Sequence, residues 1–198
     1  MAEFEKVRKN LEERGFSVRT FRTGEEAAAY LDGAIDGVSV GFGGSVTLES
    51  MGLYERLKTH NTVSWHWKRP ADAARLAAMT ADVYLTSANG LAETGEIVNI
   101  DGMGNRVAGT LFGHKKVYFV VGRNKLAPTY DEALWRARNI AAPKNAQRLK
   151  KKTPCAVRGD RCYDCKSPER ICHGLTVLWK PMMGMETEVV LIDEDLGY

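Results

Sequence analysis

The chain has 198 residues, 44% hydrophobic and 27% charged, with a formal charge of +3 from 28 basic and 25 acidic side chains. That length suits one α/β domain, or one domain with a small appendage, rather than two full domains. So small a basic excess excludes nucleic-acid binding driven by net charge, and the longest apolar runs, such as Val117 to Val121, are far too short for a membrane span.

In chain order, Phe4, Val7 and Leu11 recur at helical spacing in MAEFEKVRKNLEERG until Gly15 stops the pattern. This stretch has no apolar signal core and no small-residue cleavage site, so a cytoplasmic address is the default expectation. FSVRTF alternates like a strand, and Thr23, three residues before Glu26, gives a capping-box signature to a second helix at EEAAAYL. GVSVGF reads as a short strand, GFGGS as a turn, and VTLESMGLYERLK as one helix. Next come a strand at NTVSWHW, a helix at ADAARLAAM and a strand at DVYLTSA. EIVNID and NRVAGTLFG read as extended, with antiparallel pairing open for both. KKVYFVVG is the strongest strand, and DEALWRARNIAA a helix. TVLWK and TEVVLID are expected to return as a final hairpin closing the sheet edge. Alternating strands and helices predict a three-layer α/β fold, a largely parallel sheet with helices on both faces and ligands at the carboxyl ends of its strands. Within it Trp65, His66 and Trp67 are expected to be core and strand packing.

From Pro143 the texture changes to a basic, turn-rich segment that carries all four cysteines. The expected organisation is an α/β domain of residues 1–142 and 174–198, with a cysteine-rich loop module at 143–173. Cys155, Cys162, Cys165 and Cys172 follow the spacing C-x6-C-x2-C-x6-C. Clustered thiols in a reducing compartment point first to metal or redox chemistry, and the central pair can aim two sulfurs at one centre. Four thiolates suit a [4Fe-4S] cluster or zinc, with a purely structural or thiol-redox role as the remaining alternative. His173 could replace one ligand or be a surface histidine. Nearby Lys150, Lys151, Lys152, Arg158, Arg161, Lys166 and Arg170 would offset the thiolate charge.

Three polar constellations follow strand ends. Gly43, Gly44 and Ser45 allow close backbone approach and an anion contact, although a tight strand-to-helix turn explains them equally. Ser87 and Asn89, with Glu93, Thr94 and Gly95, form a candidate site wall. Asp101, Gly104, Asn105 and Arg106 follow, with an ordinary Asx-turn as the alternative for Asp101 and Asn105. Arg123 and Lys125 lie beyond another strand end, and together these loops predict a convergent polar pocket.

Four segments, GFGGSVTLESMGL, TSANGLAETGEIVNIDGMGNRVA, VVGRNK and AAPKNAQRLKKKTPC, together resemble the LUD domain, or lactate-utilisation, family over nearly the whole chain. The resemblance implies an α/β fold related to the ribose-phosphate isomerase, CoA-transferase and formyltetrahydrofolate cyclo-ligase group. It also implies a part in oxidising L-lactate to pyruvate through iron-sulfur centres. The chain lacks the ferredoxin-type motifs of the family's long iron-sulfur subunit and is nearer in size to the short subunit. The implied pocket comprises Gly43, Gly44, Ser45, Glu93, Thr94, Gly95, Asp101, Gly104, Asn105 and Arg106.

Three functions compete. The first is an iron-sulfur component in oxidation of lactate or a related small carboxylate, with Arg106 or Arg123 holding the carboxylate and electrons passing to a partner protein. The second is a non-redox enzyme acting on a phosphorylated sugar or acyl-CoA, with Glu93 as base or nucleophile, Asp101 and Arg106 beside it, and zinc in a structural role. The third is a non-enzymatic sensor or scaffold. No flavin or nicotinamide fingerprint is present, and nucleic acid is not needed to explain the basic residues.

Overall fold

In the computed structural model, which describes residues 2–198 and side chains from Phe4 onward, strands and helices alternate as the sequence predicts. The elements are α1 (Ala2–Glu13), β1 (Ser17–Phe21), α2 (Gly24–Ala34), β2 (Ser39–Phe42), α3 (Val46–Ser50), α4 (Leu53–Leu57), β3 (Thr62–Ser64), α5 (Ala71–Met79) and β4 (Val83–Thr86). There follow β5 (Gly90–Ala92), β6 (Ile97–Asp101), α6 (Asn105–Leu111), β7 (Lys116–Gly122), β8 (Leu126–Ala127), α7 (Tyr130–Arg136), α8 (Ala142–Arg148), α9 (Pro154–Arg158), β9 (Gly174–Leu178) and β10 (Glu186–Ile192). A stretch of π-helix, Ala137–Ala141, joins α7 to α8.

The main sheet has the order β1-β10-β7-β4-β2-β3, and every pairing in it is parallel. Period-two alternation sends its side chains to opposite faces. Tyr118, Val120, Val190 and Ile192 pack with α2, α3 and α4 on one side. Val117, Phe119, Val121, Val189 and Leu191 pack with α1 and with Leu91, Ile97 and Leu178 of a second sheet on the other. That second sheet, β8-β5-β6-β9, is mostly antiparallel, and α7 covers its outer face. The three-layer α/β arrangement is thus present, with a small sheet inserted into one helical layer. No helix among the described residues is long and apolar enough to cross a membrane.

Several local expectations are corrected. VTLESMGLYERLK forms two helices, because Gly52 takes φ 64° between them. NRVAGTLFG is not extended. The Asp101 carboxylate accepts from the Arg106 and Val107 backbone amides at 2.9 and 3.1 Å, which starts α6 there. The last two strands do not form a hairpin: β9 pairs antiparallel with β6, while β10 lies between β1 and β7. Helix α8 follows the π-helical stretch without a break, with Pro143 near the junction, so the boundary expected at 142/143 falls inside a continuous helical run.

Two close approaches need glycine. A Cβ on Gly41 would lie 2.5 Å from the Ala78 carbonyl oxygen, where α5 crosses β2, and one on Gly109 would lie 2.6 Å from the Tyr84 ring. Gly41→Ala is therefore expected to cost about 1–3 kcal/mol as an overpacked contact and lower Tm by several degrees. Gly33→Ala, in α2 with open space around it, should instead add about 0.5–1 kcal/mol. Thermal unfolding checks both, and an unchanged Tm for Gly41→Ala would refute the close crossing.

Candidate functional site

Parallel strands deliver their carboxyl ends to one edge, and the chain that follows β2, β3, β4, β7 and β10 converges there on a cavity of about 540 Å3. Gly44, Ser45 and Thr47 enter from β2, His66 and Trp67 from β3, Ser87 and Asn89 from β4, and Lys125 from β7. The wall is completed by the β6–α6 turn, by Arg75 of α5, by the helical stretch around Asn145 and Arg148, and by Glu169 to Ile171 of the cysteine segment.

Most of its polar groups are held by specific partners. Ser45 Oγ accepts from the Leu48 amide at 3.3 Å and caps α3, so its hydroxyl is occupied by the turn. A Cβ on Gly43 would stand 2.9 Å from Arg106 Cγ, so this glycine makes room for the arginine without lining the cavity. Arg106 Nη2 donates to Asn89 Oδ1 at 2.8 Å and to the Ile100 carbonyl at 2.5 Å. Burial draws Arg106 below its ordinary value, and Asp101 acts against that shift. Asn89 Oδ1 also accepts from the Ile100 amide at 2.8 Å, so one side chain positions both the arginine and the β6 edge. Lys125 is 3% exposed, with Nζ 2.6 Å from Thr47 Oγ1 and 2.7 Å from Ser87 Oγ. Arg136 donates to the Asn124 and Asn89 carbonyls at 2.9 and 2.5 Å, and burial lowers it to about 10.

Other donors lack a partner. Arg75 Nε and Arg170 Nε are buried without an acceptor, His66 Nδ1 is buried without a partner, and all three residues line the cavity. Burial and the Arg75 charge hold His66 below the usual histidine value. Trp67 offers an aromatic wall, with the Arg148 guanidinium 4.7 Å over its ring. Arg75, Arg106, Arg148, Lys151 and Arg170 share the lining with the carboxylates Asp101 and Glu169, and Arg75 Nη1 is paired with Asp72 at 2.9 Å. A cavity with spare N–H donors and a cationic wall is suited to an anion.

The structure brings Gly44, Ser45, Ser87, Asn89, Asp101, Asn105, Arg106 and Lys125 to this cavity. Gly104, at φ 83°, shapes the turn before α6. It does not bring Glu93, Thr94 or Gly95 there. The β5–β6 turn docks on α1 instead: Glu93 pairs with Lys6 at 2.7 Å, and the Thr94 carbonyl accepts from Arg14 at 2.6 Å. The Thr94 hydroxyl is bonded to Glu96, and Gly95 lies against the Arg14 side chain. Arg123 turns outward to Asp195 and Asp193, at 3.0 and 3.5 Å. His66 and Trp67, expected as packing, belong to the site, whereas Trp65 is wholly in the core. Thr47, Arg75, Asn145 and Arg148 were not anticipated. For His66 and Trp67 the signal was available, since they follow a strand end as Ser45, Ser87 and Lys125 do.

All four cysteines line a second, small cavity with Arg138, Tyr163 and Thr153. The Asp164 amide donates to Cys162 Sγ at 3.3 Å, Asp164 having φ 45° in the tight turn of the central pair, and Thr153 Oγ1 lies 3.3 Å from Cys155 Sγ. Cys172, beside Arg170, helps to hold that guanidinium above its ordinary value. The four thiols thus share one small cavity. Among the described residues, however, no group of three or more Cys, His, Asp or Glu side chains is arranged to hold a metal ion as it stands. His173 Nε2 is instead 2.9 Å from the Arg170 carbonyl.

The family model described as the LUD domain matches residues 4–192. A crystal structure of a DUF162 family protein from Deinococcus radiodurans is similar at 16% identity and a TM-score of 0.57, covering 96% of this chain and 97% of that one. At that identity the likeness concerns the fold alone. No curated protein matches the sequence.

The bonds to Asp101 give it a capping role that can be checked. Asp101→Ala should lose about 1 kcal/mol as the α6 amides lose their acceptor, while Asp101→Asn should retain most of the stability. Denaturant unfolding of the two variants separates them, and equal loss in both would argue against capping.

Proposed function

Since this chain belongs to the LUD domain family, we propose that its strand-end cavity binds a small carboxylate of the lactate type and that the protein is an iron-sulfur component of the oxidation of that substrate, passing electrons to a partner. The observation that carries this reading is the pair of unpartnered donors Arg75 Nε and Arg170 Nε, with the unpartnered His66 Nδ1, on residues that line one cation-rich cavity. A carboxylate would satisfy them and offset the charge of Arg106, which Asn89 and Ile100 hold in place. Trp67 and the Ala141–Ala142 backbone would cover the apolar part of the ligand and exclude water.

Cys155, Cys162, Cys165 and Cys172, in a module of residues 143–173, would hold the cluster, which when bound supplies one-electron chemistry. What supports its pairing with the substrate cavity is proximity: Ala142, Arg170 and Ile171 line both cavities, so one layer of residues separates them. Arg138 and Arg170 would offset the thiolate charge.

The volume supports a second reading. About 540 Å3 exceeds what a three-carbon acid fills and falls within the roughly 300–1,000 Å3 typical of small-molecule and cofactor sites. A phosphorylated sugar or acyl-CoA would use the same donors, with the cysteines then holding zinc. Glu93 has no part in either reading, because it lies against α1.

Two measurements test these readings. Protein purified anaerobically should contain iron and sulfide and show broad visible bands that bleach on reduction. A colourless, zinc-loaded protein would sink the redox reading in favour of the second. Titration of tryptophan fluorescence with L-lactate, pyruvate and sugar phosphates should report binding through Trp67. Arg75→Met should weaken that binding about tenfold or more, the loss of a charge-assisted hydrogen bond. Unaltered affinity would remove Arg75 from the site.

A further inference from the structure

Lys125 is more constrained than a cation that merely lines a pocket. Thr47 Oγ1 gives its hydrogen to the Leu196 carbonyl at 3.1 Å, and Ser87 Oγ gives its hydrogen to the Val120 carbonyl at 2.5 Å. Each hydroxyl has therefore spent its donor and can only accept from Nζ, at 2.6 and 2.7 Å. Two N–H bonds of the amine are committed in this way. One tetrahedral position remains, and Lys125 is among the residues that line the cavity.

The groups around Nζ do not favour an ammonium. From α6 and α7 the charged neighbours are Arg106 and Arg136, both cations. The β2–α3 and β4–β5 connections present the two hydroxyls, and the segment after β10 presents backbone at Leu196 and Gly197. No carboxylate among the described residues pairs with Lys125. Burial, assisted by Arg136 and Arg106, holds the amine well below the ordinary lysine value.

We propose that Lys125 is a proton-coupled anion site: its amine is neutral without a ligand, and takes one proton from solvent onto Nζ when a carboxylate or phosphate oxygen docks at the third position. One N–H bond forms, the proton comes from water or buffer, and no bond in the ligand breaks. The bonds to Thr47 and Ser87 persist, and the new N–H gives the ligand a charge-assisted hydrogen bond. The inference rests on the reading of the cavity as an anion site and deepens it.

The test is calorimetric titration of the full chain with oxalate and, separately, with inorganic phosphate, at pH 8 in two buffers of different ionisation enthalpy. The expected result is uptake of about one proton per anion bound, and affinity that falls about tenfold per pH unit while the uptake holds. The anion bound more tightly identifies carboxylate or phosphate as the favoured class, the phosphate count being corrected for that ligand's own second ionisation. In Lys125→Met, binding should weaken and the uptake disappear. His66 also lines the cavity and is held below its ordinary value, so His66→Gln tests whether it is the proton acceptor: binding should weaken, as for any group in the wall, while the count of about one proton per anion bound is retained. It also keeps the proposal testable if Lys125→Met does not fold. Clear binding without proton uptake overturns the proposal, as does uptake that survives in Lys125→Met or is lost in His66→Gln. If neither anion binds, the anion site itself falls, and with it both this proposal and the functional reading beneath it.

Discussion

A sheet whose strands all run the same way has a chemical polarity that a mixed sheet lacks. In the order β1-β10-β7-β4-β2-β3 every carboxyl end lies on one edge, so the turns that leave the strands must share that edge. Those turns carry the hydroxyls, amides and cations of the chain, because polar groups cannot be spent inside a sheet covered on both faces. Thr47, Ser87, Asn89, Arg106 and Lys125 thus meet although up to 78 residues separate them in sequence. The packing of α2, α3 and α4 on one face, and of α1 and the small sheet on the other, fixes how far apart those turns stand.

Gathering donors at one edge creates an electrostatic demand. Asp101 is a carboxylate of the cavity wall, and its two oxygens are taken by the amides of Gly102, Arg106 and Val107. It balances the start of α6 and leaves the guanidinium of Arg106 to bond neutral oxygens of Asn89 and Ile100. Arg136 likewise bonds only carbonyls. Buried cations whose partners are neutral oxygens retain much of their field, and that field reaches both Lys125 and any anion that enters. The same physics that lowers Arg136 and Lys125 makes an entering anion more welcome than it would be at an exposed arginine.

The strand-helix alternation was legible because apolar periodicity reports local structure. β7 and α5 are where KKVYFVVG and ADAARLAAM place them, and Thr23 caps α2 through the Glu26 amide. Pairing partners were less legible, since they depend on distant residues. β10 carries Val189, Val190, Leu191 and Ile192 without alternation, the mark of a strand covered on both faces, and that run argued for the sheet interior over a hairpin at the edge. Glu93 misled for a related reason. A carboxylate after a strand end suggests a site, but β5 belongs to the small sheet, where the antiparallel return to β6 carries the turn towards Lys6 and Arg14 of the first helical segment. α6 was hidden because its start depends on a carboxylate four residues before Asn105, not on its own composition.

The cysteine segment takes its place in the fold from the helix beneath it. The π-helical stretch at Ala137–Ala141 widens the turn between α7 and α8, and Asn139 on it accepts from the Cys162 amide at 3.1 Å. One turn later Ala142 lines both cavities. An added turn of ordinary helix would rotate these two residues relative to each other, so the wide turn matters to how the thiol cavity sits beside the cation-rich one. Arg170 completes the connection. It donates to the Cys165 carbonyl at 2.8 Å and lies beside Cys172, while its Nε is buried without a partner. Arg170 thus stands in the lining of both cavities, together with Ala142 and Ile171, so the thiol loop and the cation-rich cavity share one layer of side chains.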